Sequence, residues 1–390
     1  MMNAHDISQI RRRLDPKHRD PSTILGICLS ADGHILSRFE RPVGMLTTEE
    51  AEKLMAIFKK VLTGTPGQNQ LSVEMDQEQV EHGEEHALLS ALVSSGLKDE
   101  LAVSTFAQHL SEWVQNDGSA VTQSVEEIQA AGHQLVLLLH DNMDVSYHDR
   151  NGEIDRERSD GSFSYMLCCV CPVKRTKGAL VFDESQNDIH LWDGAWTVGM
   201  PDFGFMFPAY ESGSADIYHA LYYTRDAEDL HEGFLDQIFH TEPQMTATEQ
   251  KESFQAVLQA SLGNECSMEV VQSMQETIAT MLDEQKQDKE AEPLVLGRAD
   301  VQRVLEQSGV SDEKVADVGE RFEEAFGEHG TIPAVNTIPV KEYKVTTPSV
   351  SIRVDPDHSD LVETRMIDGK YYILVLADGE VEVNGMRITG

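Results

Sequence analysis

The stretch of sequence that decides the fold is FSYMLCCVCPVKRTKG, residues 163–178. Its first eleven residues are almost all apolar or small, which is typical of a strand that is buried on both faces. The run QLVLLLH, residues 134–140, has the same character, and the acidic segment NGEIDRERSDGS, residues 151–162, lies between the two. The pattern predicts two buried strands that are joined by a long acidic hairpin loop.

Three of the five cysteines, Cys168, Cys169 and Cys171, lie in this strand. Structural zinc sites usually use paired C-x-x-C or Cys/His sets, and the C-C-x-C spacing does not match them. Successive residues of a strand face opposite sides, so Cys169 and Cys171 share one face and Cys168 takes the other. Cysteine is also among the residue types most often buried. The pattern favours packed core residues over a metal or redox site.

The rest of the chain alternates strand and helix signals. ILGICLSADGHILSRFE, residues 24–40, predicts a hairpin around an Asp-Gly turn, and TTEEA, residues 47–51, predicts a helix that begins with a capping box. The predicted class is α+β: a central, mostly antiparallel sheet with flanking helices, a helical linker region and a small C-terminal α+β domain. The predicted domains are a basic N-terminal arm (1–20), a β-hairpin with helices (21–130), a strand-rich core followed by helices (131–285) and the C-terminal domain (293–390).

Composition limits the class of protein. The chain is 40% hydrophobic and 25% charged, which is ordinary for a globular protein, and its net charge is −37. Such a charge opposes a broad nucleic-acid-coating surface. No run approaches the roughly 18 apolar residues of a membrane span, no signal-like apolar segment follows the first arginines, and the odd number of cysteines suggests reduced thiols. We therefore expect a cytoplasmic protein that does not enter a membrane.

Two local clusters of cations stand out against this acidic background. Residues 1–20 carry a net charge of +2, and a second cluster follows Pro172 at the end of the cysteine-rich strand. Such clusters can seat a few phosphates and give salt-sensitive binding to DNA, or they can be solvated turns that offset nearby acids. The candidate phosphate-binding residues are Arg11, Arg12, Arg13, Lys17, Arg19, Lys174, Arg175 and Lys177.

The segment His82-Gly83-Glu84-Glu85-His86 matches the H-x-x-E-H pattern of zinc peptidases. On one helix, His82 and His86 would share a face and bind zinc, while Glu85 would activate water. Glu153 or Glu157 could supply the third ligand. The alternative is a helix N-terminus that carries acids because they suit the helix dipole.

A second polar group, His140, Asp141 and Asp144 with His148 beyond it, follows the apolar run QLVLLLH. Polar side chains at a strand end can bind a metal or carry out acid–base chemistry. The alternative is turn chemistry, in which Asp and Asn hydrogen-bond their own backbone. No nucleophile motif or phosphate-binding glycine loop lies nearby.

Several segments together resemble an uncharacterised family of bacterial proteins that is known only as a domain of unknown function. The resemblance covers nearly the whole chain and is specific, but it implies no activity. The segments that carry it are ISQIRRRL (7–14), EEHALLSAL (84–92), LLLHDNMDV (137–145), FSYMLCCVCPVK (163–174), FGFMFPAY (203–210), ALYYTRD (220–226) and DLVETRMIDGKYYILV (360–375).

The order of elements over about residues 130–390 is also similar to that of the NdpA-type nucleoid-associated proteins. This resemblance implies a non-enzymatic, nucleoid-associated role, and no catalytic residues carry over. The matching segments are QLVLLLH (134–140), SYMLCCVC (164–171), ALVFDES (179–185), LYYTRD (221–226), FLDQIF (234–239) and YYILVLADGEVEVNG (371–385).

The leading hypothesis is a non-enzymatic interaction protein that contacts DNA, or a DNA-bound protein, through its local cationic clusters. One alternative is a metal-dependent hydrolase that uses the H-x-x-E-H motif or the His140 group. Another is an acidic protein that mimics nucleic acid and binds a DNA-handling protein. We expect no cofactor under the leading hypothesis and zinc under the hydrolase alternative. The expected partners are a protein and DNA, and self-association into a homo-oligomer is left open.

Overall fold

The computed structural model describes residues 2–16, 23–116, 132–145, 161–211, 213–241, 244–377 and 379–388. The contacts divide the chain into two compact units. The first comprises Met1–Thr246 with Lys289–Pro293, and the second comprises Ala247–Asp288 with Leu294–Gly390. Among the described residues, no helix is both long and apolar enough to cross a membrane.

The first unit contains a large sheet and the helices that cover it. Its described helices are α1 (Ala4–Arg13), α2 (Thr48–Val61), α3 (Gln77–His82), α4 (Glu84–Ser94), α5 (Glu100–Asn116) and α6 (Glu232–Phe239), with a 3-10 turn at Val43–Met45. Its described strands are β1 (Thr23–Ser30), β2 (Ile35–Pro42), β3 (Gln70–Glu74), β4 (His133–Val145), β5 (Gly161–Arg175), β6 (Ala179–Asp183), β7 (Asp188–Trp192), β8 (Trp196–Val198), β9 (Phe203–Phe207), β10 (Ala209–Glu211), β11 (Ser214–Asp216) and β12 (His219–Thr224).

Eight strands form the main sheet, in the order β2-β1-β4-β5-β9-β12-β3, with β8 paired to the end of β5. Every strand pair in this sheet is antiparallel. The predicted α+β class with a central antiparallel sheet and flanking helices is therefore confirmed.

The central pair is β4 and β5, the two strands predicted from their apolar runs. They are in register from His133 opposite Val173 to Val145 opposite Gly161. Side chains of both strands are buried on both faces over most of this length, as their continuous apolar character requires. The predicted acidic loop, residues 151–162, lies outside the described residues up to position 160, and its last two residues belong to β5. Glu153, Glu157 and His148 also lie outside the described residues.

Helices cover the two faces of this sheet in two separate layers. One face packs against α4, α5 and α6 through a cluster that includes Val136, Cys168 and Phe205. The other face packs against α1 and α2 through a cluster that includes Leu137, Cys169 and Cys171. The first unit is thus a three-layer sandwich, and Cys168 lies on the opposite face from Cys169 and Cys171, as strand alternation predicted.

The start of α2 confirms a local prediction. The Thr47 side chain accepts a hydrogen bond from the Glu50 backbone N–H, and the Glu50 carboxylate accepts one from the Thr47 backbone N–H. These two bonds satisfy two backbone donors that have no partner within the helix. The capping box therefore fixes where the helix begins against the second face of the sheet.

The second unit consists of helices and short two-stranded sheets. Its helices are α7 (Ala247–Leu262), α8 (Met268–Gln287), α9 (Arg298–Gln307) and α10 (Asp312–Phe326), with 3-10 turns at Gly263–Glu265, Ala334–Asn336 and Pro356–Leu361. Its described strands are β13 (Val295–Gly297), β14 (Thr331–Pro333), β15 (Tyr343–Thr346), β16 (Ser351–Val354), β17 (Val362–Ile367), β18 (Lys370–Val375), β19 (Val381–Val383) and β20 (Met386–Ile388). The four helices share one core. The domain limits predicted from the sequence instead placed α7 and α8 with the central strands.

Candidate interaction surface

A two-stranded hairpin, β6 with β7, extends from the end of the main sheet. We call residues Ala179–Trp192 the β6–β7 arm, and we call residues 174–178 with 193–196, which join it to the main sheet, the base of the arm. Its strands pair from Ala179 opposite Trp192 to Asp183 opposite Asp188 and form a sheet of their own. An isolated hairpin of this kind is marginally stable in water unless another layer packs against it.

The base of the arm is joined to the main sheet by backbone and side-chain hydrogen bonds. Lys174 pairs with Thr197 and Arg175 with Trp196, where β8 runs beside the end of β5. The Thr176 backbone N–H donates to the Ala195 carbonyl at 2.8 Å, and the Ala195 N–H donates to the Thr176 hydroxyl at 2.9 Å. The arm therefore continues the β5–β8 ladder outward, beyond the part of the sheet that helices cover.

One face of the arm consists entirely of large apolar side chains that lie in solvent. Leu180 is opposite Leu191 and Phe182 is opposite Ile189, so all four point to the same side. Their exposed fractions are 74%, 66%, 58% and 61% respectively, whereas apolar side chains in the middle of β4 and β5 are almost completely buried. We call these four residues the arm's apolar face. Contiguous exposed apolar patches on soluble proteins mark sites of interaction.

The two ends of the arm carry opposite charge. The base has three exposed cations and one exposed acid, which are Lys174, Arg175, Lys177 and Asp193. The tip has Asp183, Glu184 and Asp188. Asp183 is held in the turn, since its carboxylate accepts hydrogen bonds from the Ser185 N–H and hydroxyl, and these bonds lower its pKa. The arm thus combines an apolar face with a cationic base and an acidic tip.

The two cationic clusters predicted from the sequence are not brought together. Arg13 is bound at Asp141 in β4, whereas Lys174 lies just beyond the residue that pairs with His133. Eight residues of strand separate Asp141 from His133, which corresponds to about 26 Å. Arg11 and Arg12 are exposed in the last turn of α1, where cations suit the helix dipole. Lys17 and Arg19 lie outside the described residues.

Arg13 is committed to a contact inside the first unit. Its Nε and Nη2 atoms donate to the two carboxylate oxygens of Asp141 at 3.0 and 3.1 Å, and Nη2 also reaches the Asn142 carbonyl at 3.2 Å. The Tyr165 hydroxyl donates to the same carboxylate at 2.9 Å. Burial, with the Asp141 carboxylate adding to it, raises the pKa of Tyr165 well above its ordinary value, so the phenol keeps its proton. The ion pair between Asp141 and Arg13 therefore holds α1 against the central strands.

The other members of the His140 group lie apart from Asp141. Side chains alternate along β4, so His140 and Asp144 face the opposite side of the sheet. His140 Nε2 lies 2.8 Å from the Ser164 hydroxyl, and the ring packs beside Gly96 after α4. Burial lowers the pKa of His140, and Asp141 only partly opposes this. Asp144 is exposed, and the three side chains do not form one acid–base centre.

The H-x-x-E-H segment does not lie on a single helix. Gly83 has an extended backbone, with φ −70° and ψ 133°, and separates α3 from α4. His82 is exposed at the end of α3, whereas His86 is buried in α4, where its Nε2 lies 3.1 Å from the Ile217 carbonyl. The premise that both imidazoles and Glu85 share a helix face is therefore wrong. Among the described residues, no group of three or more His, Cys, Asp or Glu side chains is placed to hold a metal ion.

The central thiols are buried and hard to ionise. Burial raises the pKa of Cys168 and Cys169 well above the ordinary value, and burial, with Asp202 adding to it, raises that of Cys171 to about 12. The thiolate is the form that binds metals and reacts as a nucleophile. These cysteines consequently act as small core residues at neutral pH.

A small pocket lies at the β3 side of the sheet. Its volume is about 210 Å³, and its lining includes Glu211, Asp216, His219 and Glu292. His219 Nδ1 lies 2.6 Å from the Asp216 carboxylate. The volume is below the roughly 300 Å³ of ordinary ligand pockets.

The sequence profile of the family described as "Domain of unknown function (DUF4317)" matches residues 2–386. The chain belongs to the DUF4317 family. The match confirms the resemblance to a family of unknown function. No match was found among curated proteins or among solved structures, so the resemblance to NdpA-type proteins stays a prediction.

Sequence reasoning did not identify the arm's apolar face as a functional feature. The segment ALVFDESQNDIHLW predicts two strands and a turn, and both strands are present. Their apolar alternation would equally suit a strand that is covered by a helix layer. Whether such a layer exists is a property of the whole fold, and the short spacing between the two strands was the only local signal of a separate hairpin.

Replacing Arg13 with Ala should destabilise the first unit, because the Asp141 carboxylate would stay buried without its cation. Since Arg13 is about a quarter exposed, we expect a loss of about 2 kcal/mol, below the range for fully buried pairs. The exposed neighbour Arg12→Ala is the matched control and should cost under about 0.5 kcal/mol. Urea unfolding followed by tryptophan fluorescence reports the first unit, which holds Trp113, Trp192 and Trp196. Equal losses for the two variants would refute the anchoring role of Arg13.

The native protein should expose few reactive thiols. Cys266 is exposed and Cys28 is half-buried, whereas the three cysteines of β5 are buried and have raised pKa values. A Cys28→Ser, Cys266→Ser variant should show no rapid reaction with a disulfide reagent at pH 8, and three thiols should react after denaturation. Rapid native reaction of any β5 thiol would contradict its assignment to the core.

Proposed function

We propose that this DUF4317 protein is a non-enzymatic interaction protein that binds a protein partner through the β6–β7 arm. The observation that carries the proposal is the arm's apolar face, where four large side chains are each more than half exposed. Burial of apolar surface is the main favourable term in protein association, at about 25 cal/mol per Å² removed from water. A partner that covers this face would also stabilise a hairpin against which none of the described helices packs.

The charge around the arm favours a protein over duplex DNA. Residues 174–196 contain three cations and four acids, so the local charge is not positive. DNA binding depends on neutralising phosphates with cations. Arg13 is held by Asp141, and the remaining exposed cations of α1 are remote along the sheet. A role beside DNA would therefore pass through a DNA-bound protein.

The second unit supports the same class of function. Val381 and Val383 in β19 and Met386 and Ile388 in β20 share one face of a two-stranded sheet, and all four side chains are exposed. Exposed apolar strand faces in both units favour a protein that works by contacts with other proteins.

Affinity capture from an extract of the source cells tests this proposal. The tagged wild-type chain should retain partners that a Leu180→Ser, Leu191→Ser variant loses by tenfold or more, because the variant removes half of the apolar face. The control is Met45→Ser with Leu101→Ser, which removes two scattered apolar side chains that are 83% and 77% exposed. The control should capture the same partners as the wild type.

Two outcomes would overturn the proposal. One is capture that is equal for the arm variant and the wild type. The other is direct binding of purified duplex DNA at low salt that Lys174→Glu with Lys177→Glu abolishes, since DNA would then be the ligand of the arm's base.

A further inference from the structure

We infer that the occupant of the arm's apolar face is the arm of a second copy of this chain, with the two arms packed face to face and antiparallel. This inference rests on the proposed function, because it names the partner of the same surface. It follows from the way charge and apolar surface are distributed along the arm.

The arm is complementary to itself only in the antiparallel arrangement. Its base is net positive, because Lys174 and Lys177 with Arg175 outnumber Asp193, and its tip carries exposed Glu184 and Asp188. In an antiparallel twofold pair, both copies use the same surface and each base meets the tip of the other copy. A parallel pair would instead place cations against cations and acids against acids. Charge complementarity therefore selects one orientation.

The ends of one arm do not neutralise each other. A five-residue strand spans about 17 Å, which is about twice the screening length of roughly 8 Å at physiological ionic strength. Base and tip of a single arm are thus electrostatically separate, and each is available to an opposite charge on another molecule. Arg175 and Asp183 are already engaged within the chain, with the Asp193 carbonyl and with Ser185 respectively.

Two partly exposed apolar side chains lie at the base of the arm and just beyond it. Trp196 and Val198 of β8 are 44% and 46% exposed and lie beside the end of β5. In the antiparallel pair, the tip of the other arm would reach this region. A specific interface needs about 1,000 Å² of buried surface in total, and contact with these two side chains would add to the area that the two apolar faces provide.

A contact between opposite charges is also selective in a chain with a net charge of −37. Two such chains repel each other at most orientations. The net positive base attracts an acidic segment of another copy. Attraction at both ends and apolar contact between them would hold the copies in a single register.

The mass of the purified full-length chain in solution tests the inference, measured by light scattering or sedimentation. The wild type should form a dimer of twice 43.5 kDa, and Phe182→Ser with Leu191→Ser should give the monomer. Met366→Ser with Tyr371→Ser, which changes exposed apolar residues of β17 and β18, is the matched control and should remain dimeric. Circular dichroism should show that all variants keep the fold.

Charge reversal gives the sharper result. The base variant, Lys174→Glu with Lys177→Glu, and the tip variant, Glu184→Lys with Asp188→Lys, should each raise the dimer dissociation constant by about tenfold or more, because like charges would meet at both ends. An equal mixture of the two variants should form a heterodimer near wild-type affinity. The four-residue variant that combines both changes should also dimerise.

Three results would overturn the inference. A monomeric wild type at high concentration would do so, and the capture experiment would then decide the proposed function separately. If the chain stays dimeric when Phe182 and Leu191 are replaced, the interface lies outside the arm. Loss of the dimer in the Met366→Ser, Tyr371→Ser variant would then place it at β17 and β18. If the base variant and the tip variant each weaken the dimer but form no heterodimer when they are mixed, the antiparallel pairing is refuted.

Discussion

The pairing of β4 with β5 is the constraint on which the first unit depends. The two strands are paired over thirteen positions and are buried on both faces for most of that length. A strand of this kind needs an apolar layer on each side, and α1 and α2 supply one layer while α4, α5 and α6 supply the other. The thiols of Cys168, Cys169 and Cys171 fill both layers. Near one end of this strand pair, the Asp141 carboxylate adds polar contacts by accepting hydrogen bonds from Arg13 and Tyr165.

The β6–β7 arm arises where this constraint ends. β9 pairs with β5 only from Met166 to Val170, and β8 takes over at Val173–Arg175. Beyond that point the chain keeps the alternation of a half-buried strand, but no described helix covers its apolar side. The cost of leaving this face in water is the physical reason for assigning it a protein partner.

Much of the fold could be predicted from local patterns. The two apolar runs of β4 and β5, the capping box at Thr47 and the opposite faces of Cys168 and Cys169 depend on periodicity and spacing that the sequence displays directly. The roles of Arg13 and His86 could not be read in the same way. Arg13 pairs with a residue 128 positions away, and the break at Gly83 turns a five-residue motif into parts of two helices. The sequence also shows where cations cluster, but it does not show which acids bind those cations in the folded chain.

Amide hydrogen exchange in the arm tests most directly the central claim, which is that the arm's apolar face is covered by another copy of the chain. Exchange of residues 179–192 should be slow at high protein concentration and become fast on dilution, because an uncovered two-stranded hairpin opens readily. The amides of β4 and β5 should stay protected at both concentrations. Exchange in the arm that is equally fast at high and low concentration would contradict the claim.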